Sequence, residues 1–327
     1  MDWKMIGHAW AVQLLQRHIA IGQVRHAYLF TGPESVGKRT LALRFAQALC
    51  CEGILEGGET CGSCRACRLM ADQIHPDLHV VESGEIGTAL RVGQIRELQR
   101  KLALAPYEAR WRIALMLRFH EATASASNAL LKTLEEPATK VVMLLTARTT
   151  DELLPTIVSR CEVLQLRCLS VDDLEAALIE RGESREQAKL LAAVAAGRPG
   201  WALRMVEDPG WLQRRMQRLD ELTALLTMNR AERFQRVEKH AKASGSLYPM
   251  LETWLAFWRD ATHTHLGTDT SMNNPDRKEE LMRISSRMGI QELLTALRAT
   301  ERTLEALDRN ANPQLALEAL MLDLPWL

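Results

Sequence analysis

The sequence predicts an α/β domain built on a parallel sheet, then a small helical domain and a larger all-α one. Apolar strand-like runs alternate with amphipathic helical stretches through the first half of the chain. A glycine loop of phosphate-binding spacing separates the first strand from the helix after it, and no strand-like run follows Leu166. Strands that alternate with helices are joined by crossovers, which leave the strands parallel and cover both sheet faces. At 327 residues the chain exceeds the roughly 250–300 residues at which one core stops growing, so several domains are expected.

Residues Ala9 to Gln23 place Ala9, Leu14, Leu15 and Ile19 at near-helical spacing, and Ala27 to Thr31 read as a short buried strand. From Lys38 to Leu49, Leu41, Phe45 and Leu49 recur every four residues, which predicts a helix with one face on the sheet. Leu78–Val81, Ile113–Leu117 and Val141–Thr146 read as further buried strands, with helices at Val92–Leu104 and Ser127–Glu136. His75-Pro76-Asp77 reads as a turn entering the sheet. From Leu166 to about Glu207 the text is short, Ala/Leu-rich helix closed by Gly197-Arg198-Pro199-Gly200. After Asp208-Pro209-Gly210 the text is helical to the end, with Trp254, Trp258 and the leucines from Leu293 to Leu307 as core positions and Gly267 to Pro275 as a polar loop. The expected domains are 1–167, with a cysteine module inserted at 50–70, then 168–207 and 208–327.

Forty-one basic residues cancel 41 acidic ones, which excludes a polybasic nucleic-acid binder; any contact with DNA must be local or made through partners. A composition 47% hydrophobic and 25% charged is that of a folded globular protein. The longest apolar runs fall far short of the ~20 residues that span a bilayer, so no membrane role is expected. Met1-Asp2-Trp3-Lys4 does not open a secretion signal, which predicts a cytoplasmic protein.

Gly32-Pro33-Glu34-Ser35-Val36-Gly37-Lys38 has the spacing in which backbone N–H groups and a helix N-terminus cradle phosphate while the lysine adds a charge. The next position should be the hydroxyl that holds magnesium, but it is Arg39, with Thr40 one residue late. The acids that hydrolysis needs at a neighbouring strand end are also missing: Ile113 to Leu117 runs into Arg118-Phe119-His120, and Glu121 reads as a solvated glutamate at a helix start. Cys61, Cys64 and Cys67 offer three thiolates, and Cys50 or Cys51 the fourth, for a closed and therefore structural zinc site. Cys161 and Cys168 fit neither cluster and read as small buried residues.

Several stretches together carry a family resemblance: His26 to Pro33, the cysteine cluster, His75-Pro76-Asp77, Asn128-Ala129-Leu130-Leu131-Lys132-Thr133-Leu134-Glu135-Glu136-Pro137, and Leu154 to Cys161 with its Ser159-Arg160-Cys161. On these the chain resembles the delta-prime family of bacterial DNA polymerase III clamp-loader subunits, which belong to the AAA+ proteins. The resemblance implies an AAA+ domain, a lid domain and a C-terminal collar. It also implies Cys51 as the fourth zinc ligand and a degenerate phosphate loop of Gly32, Gly37, Lys38 and Thr40 that binds ATP weakly or not at all. Trp201 stands where ATP-binding relatives carry an arginine. The implied role is a non-hydrolysing subunit that projects Arg160 as an arginine finger into the ATP site of a neighbouring gamma or tau motor subunit. Gamma or tau and delta would complete a hetero-pentamer that loads the sliding clamp on primed DNA. An active ATPase using Lys38, Thr40 and Glu121 is the alternative. A zinc-bearing DNA-binding regulator would need a basic helix-turn-helix, which the mixed charges from Arg277 to Arg309 do not supply.

Overall fold

The computed structural model describes residues 3–53, 58–84, 88–242, 247–268, 272–309 and 311–327. The chain divides into two compact units, Met1–Leu169 with Arg198–Gly200, and Ser170–Gly197 with Trp201–Leu327. The segments expected as a small helical domain and a collar both fall largely within the second unit.

In chain order the first unit contains α1 (Ala9–Ala20), β1 (Ala27–Thr31), α2 (Lys38–Cys50), α3 (Arg65–Ala71), β2 (Leu78–Val81), α4 (Val92–Leu102), β3 (Arg112–Met116), α5 (Ala124–Glu135), β4 (Val141–Ala147), α6 (Pro155–Val158) and β5 (Glu162–Gln165). All neighbours in the five-stranded sheet are parallel, in the order β2-β3-β4-β1-β5. Residues one apart on a strand face opposite ways, and the packing follows that period. Tyr28, Phe30, Ile113, Leu115, Val142 and Leu144 pack with α1 and α2 on one face. Leu29, Ala114, Met116, Met143 and Leu145 pack with α4, α5 and α6 on the other. Every residue of β1, β3 and β4 is buried, as a sheet covered on both faces requires.

One expected helix starts earlier than read, and one strand was not expected. The helix expected at Ser127–Glu136 begins at Ala124, because the Thr123 hydroxyl accepts the Ala126 N–H and caps it there. β5 escaped the sequence reading because it is a four-residue edge strand in which only Leu164 is fully buried, too short for a period of two to register.

The second unit contains α7 (Val171–Glu180), α8 (Arg185–Val194), α9 (Pro199–Glu207, from Trp201 onward), α10 (Pro209–Thr227), α11 (Arg230–Lys242), α12 (Leu247–Leu266), α13 (Lys278–Arg287), α14 (Ile290–Asp308) and α15 (Pro313–Asp323). Its core gathers around Trp254, Phe257 and Trp258 of α12, with Leu222, Leu293, Leu317 and Leu320 from α10, α14 and α15. Two buried charges lock this unit. Arg215 pairs with Asp276, and Asp260 accepts the backbone N–H groups of Asn273 and Asn274, so the end of the loop before α13 is pinned. The remainder of the polar loop expected at Gly267–Pro275 includes 269–271, outside the described residues. Arg233, 1% exposed, donates to the carbonyls of Leu225, Met321, Leu324 and Pro325 and lies 4.1 Å from the centroid of the Trp326 ring. Among the described residues no helix is long and apolar enough to cross a membrane.

Candidate functional site

The C-terminal ends of the strands meet at the phosphate-type loop. β1 runs into Gly32, whose backbone φ of 139° suits glycine, and a Cβ there would lie 2.2 Å from the Leu166 carbonyl. Gly37, at φ 112°, opens α2. The Gly32 N–H donates to the Arg148 carbonyl just after β4, at 2.9 Å. Lys38 folds back over the loop and donates its ammonium to the carbonyls of Gly32 and Pro33, the latter at 2.7 Å. Burial brings its pKa down to about 8, partly opposed by Glu34. Thr40 is exposed on the first turn of α2.

The position that hydrolysis assigns to a hydroxyl holds Arg39, and those it assigns to carboxylates hold Leu117 and Arg118. Arg39 donates to Gln73 at 2.8 Å and lies 3.7 Å from Glu82 Oε2, just beyond β2. Arg118, just beyond β3, reaches the same Oε2 at 3.8 Å, pairs with Glu121 at 3.0 Å, and donates to the Ser83 carbonyl and hydroxyl. Glu82 thus bridges the two arginines. Arg118 has left-handed backbone, φ 49°, an uncommon state for a residue with a Cβ, and its N–H is held by the Thr146 hydroxyl at 2.9 Å. Leu117 is buried apolar surface. Glu121 is not the solvated glutamate expected: it sits in a 3-10 turn, Phe119–Glu121, with 11% of its side chain exposed, and accepts from Arg118 and Ser83. Beside it, both ring nitrogens of His120 are buried without a hydrogen-bond partner, and burial with the Arg148 charge holds the ring near pKa 4. The sequence reading found each departure singly but not the Arg39–Glu82–Arg118 bridge or His120. The signal was present as an arginine directly after Lys38 and another directly after the apolar strand.

The four sulfurs of Cys51, Cys61, Cys64 and Cys67 all lie within 4.8 Å of one another. A tetrahedral zinc with Zn–S near 2.3 Å sets its sulfurs about 3.8 Å apart; the Cys51–Cys61 and Cys61–Cys67 separations are 3.5 and 3.9 Å. The residues therefore fit the metal. Backbone N–H groups of Cys61, Cys64 and Cys67 point at the preceding sulfurs in the chain, at 3.3–3.4 Å. Amides of Cys64 and Ser63 bring the Cys61 thiol down to about 6, while burial pushes Cys51 and Cys67 up. Cys50 is not in the cluster: it joins the sheet core and donates to the Trp111 carbonyl, and burial pushes its thiol up to about 12. The His75-Pro76-Asp77 turn supports the adjoining loop. Burial alone would raise the Asp77 pKa, but N–H donors from Tyr107, Ala109 and Glu108 and the Arg112 guanidinium hold it below the usual range. Cys161 is half-buried as expected of a structural thiol, whereas Cys168 is exposed, because it lies in the segment that follows β5 and leaves the sheet.

Arg160 stands just after α6. Its guanidinium donates to the Thr156 carbonyl and to Glu135 at the end of α5, both at 2.8 Å. In the second unit, Trp201 packs edge-on against Trp211, with Arg204 5.9 Å from its ring centroid.

Residues 7–170 match the family described as "DNA polymerase III, delta subunit", and residues 209–325 match "DNA polymerase III, delta subunit, C terminal". DNA polymerase III subunit delta' of Bacillus subtilis is 31% identical over 273 residues, covering 82% of this chain and 77% of the relative. The chain belongs to the DNA polymerase III delta-prime family. The Pseudomonas aeruginosa delta' subunit is 34% identical over 72% of this chain and 71% of its own length. The Escherichia coli tau subunit is 33% identical over 52% of this chain but only 26% of its own. Among solved structures, a DNA polymerase III gamma subunit-related protein of Thermotoga maritima aligns at 17% identity and TM-score 0.40, over 95% of this chain and 97% of that one. The RuvB branch-migration motor of the same organism aligns at 16% identity and TM-score 0.42, over 62% of this chain and 61% of its own. The fold is the α/β domain with a helical C-terminal part that the sequence predicts: a parallel five-stranded sheet, a phosphate-type loop after β1, and an all-helical second unit.

Proposed function

We propose that the chain is a non-hydrolysing subunit of the DNA polymerase III clamp loader. Within a hetero-pentamer it completes the ATP site of a gamma or tau motor subunit, sits with delta, and helps load the sliding clamp on primed DNA in the cytoplasm. The observation that carries this reading is the Arg39–Glu82–Arg118 bridge beside the phosphate loop. Phosphoryl transfer depends on a hydroxyl and carboxylates that hold magnesium and orient the nucleophile. Two guanidinium groups tied through one carboxylate repel a divalent cation and offer no base. Lys38, Gly32, Gly37 and the exposed Thr40 would leave at most weak nucleotide binding.

On this reading Arg160 acts in trans. It is partly exposed, its backbone is anchored by buried Ile157, and a planar guanidinium suits the charge that builds on a γ-phosphate. Cys51, Cys61, Cys64 and Cys67 would hold one structural zinc, which supplies a rigid cross-link between the end of α2 and α3. The lid at 168–207 and the collar at 208–327 complete the assignment.

ATP turnover decides the first part. The isolated chain should show none, and steady hydrolysis abolished by Lys38→Ala would overturn the reading. In the reconstituted complex Arg160→Ala should leave assembly intact, as checked by size-exclusion chromatography, and lower clamp-stimulated hydrolysis partially, because the other ATP sites keep their own fingers. Wild-type rates in the assembled variant would reduce Arg160 to a surface charge.

A further inference from the structure

The Asn128–Pro137 stretch is the longest family motif in the chain, and the function proposed above gives it no task. Its glutamate at the end of α5, Glu135, is 2.8 Å from Arg160. We propose that Glu135 is the resting partner of Arg160, a carboxylate that the neighbour's γ-phosphate must displace, so that it sets how strongly the finger distinguishes a nucleoside triphosphate from a diphosphate. The proposal rests on Arg160 acting in trans.

Both ends of the pair are fixed in position. Leu130 and Leu134 of α5 pack with Ile157 of α6 in one buried cluster, with Leu154 and Val158 against it. The carboxylate and the guanidinium therefore meet on a rigid frame. Glu135 is the last residue of its helix, where the unpaired carbonyls make a negative charge unfavourable unless a cation stands beside it. Arg160 supplies that cation and satisfies the Thr156 carbonyl of α6 with its other terminal nitrogen.

The contact is also weak enough to exchange. The side chains are 34% and 51% exposed, and an exposed pair of this kind shifts an equilibrium by only about one- to fivefold. A γ-phosphate, more highly charged and able to take two N–H bonds from one guanidinium, outcompetes a single carboxylate. When the neighbour holds a diphosphate, the nearest phosphate lies one position further from the finger and Glu135 recovers it. Glu135 would thus make engagement conditional on the γ-phosphate without touching nucleotide itself.

Glu135→Gln keeps the shape and the acceptor oxygen while removing the competing charge. Glu136→Gln removes a charge one residue away and is the control. Complexes reconstituted with wild-type, Glu135→Gln, Glu136→Gln and Arg160→Ala chains are assayed over a range of ATP concentrations, and the Arg160→Ala rate is subtracted to isolate the site this chain completes. Glu135→Gln should lower the KM of that component about two- to fivefold with kcat unchanged, and raise its inhibition by ADP by a similar factor. Glu136→Gln should change neither. An unchanged KM, or a reduced kcat, would overturn the proposal while leaving the trans role of Arg160 standing. If Arg160→Ala itself runs at the wild-type rate, the trans reading fails instead. Labelling of the isolated chain with phenylglyoxal reports on the pair alone: Arg160 should react faster in Glu135→Gln than in wild type, and an equal rate would count against the resting contact.

Discussion

Replacing Arg233 with Ala should be among the most destabilising single changes in the second unit. The side chain lies at the C-terminal ends of two helices: Leu225 is in the last turn of α10, Met321 in the last turn of α15, and Leu324 and Pro325 follow α15 directly. Its acceptors are carbonyls, so the negative ends of the two helices and the face of Trp326 balance the charge. Burial lowers the guanidinium pKa from its ordinary value, with the nearby Arg230 charge acting the same way. Truncation to Ala leaves the buried carbonyls of Met321, Leu324 and Pro325 without this donor, while the Leu225 carbonyl keeps the Met228 N–H; the cost is about 1 kcal/mol for each of the three on the low side, since an unsatisfied buried group costs ~1–3 kcal/mol. The total is about 3 kcal/mol, or roughly 6–12 °C in Tm at the ~2–4 °C per kcal/mol of a unit this size. Arg233→Lys keeps the charge but not the planar fork, so it should recover no more than about half. Urea and thermal unfolding of the full chain measure both variants, and hydrogen exchange should show residues 321–327 opening first. A loss below about 1 kcal/mol for Arg233→Ala would show that water replaces the fork and would refute the capping argument.

Three further outcomes are expected. Cys64→Ser should lower zinc content from about one equivalent to near zero by metal analysis of protein prepared without chelator, and protease should then cut the 50–70 module while 209–325 stays protected. Asp77→Ala strips three N–H groups of their acceptor and leaves Arg112 a buried unpaired charge, so unfolding free energy should fall by about 3–5 kcal/mol in denaturant titrations. His8, His79 and His120 are held below their ordinary pKa, chiefly by burial, His120 at about 4. The unfolded chain therefore binds more protons below pH 6.5, so stability is complete above about pH 7 and falls as pH drops toward 4. His120, the most strongly lowered of the three, should carry much of that loss, and His120→Gln should flatten that part of a Tm-against-pH curve.

Much of the first unit was legible in the sequence because its signals are local and repeated. β1 coincides with Ala27–Thr31, and the apolar runs at 113–117 and 141–146 became β3 and β4 to within a residue or so at each end. The cysteine spacing announced the sulfur cluster, since Cys61, Cys64 and Cys67 lie within seven residues and need little from the rest of the fold to meet. What local text could not supply was pairing across distance. Glu82, Arg39 and Arg118 come from three separate segments and meet only because the parallel strands β2, β3 and β1 all end on the same side of the sheet, at their C-termini. Glu121 read as solvated for the same reason, its partner Ser83 being 38 residues away. Cys50 and Cys51 are adjacent and chemically identical, and only the turn at the end of α2 sends one sulfur to the core and the other to the cluster.

The sheet ends on its two shortest strands, β2 and β5, of four residues each. A long bare edge is a template on which a second chain can lay down hydrogen bonds residue after residue, and such pairing is slow to undo. Edges this brief offer little purchase of that kind. On the proposed role, such a chain would meet its neighbours through helix faces and loop side chains rather than by adding strands to its sheet. The same economy protects it while it waits unassembled, when an open strand would invite irreversible stacking with copies of itself.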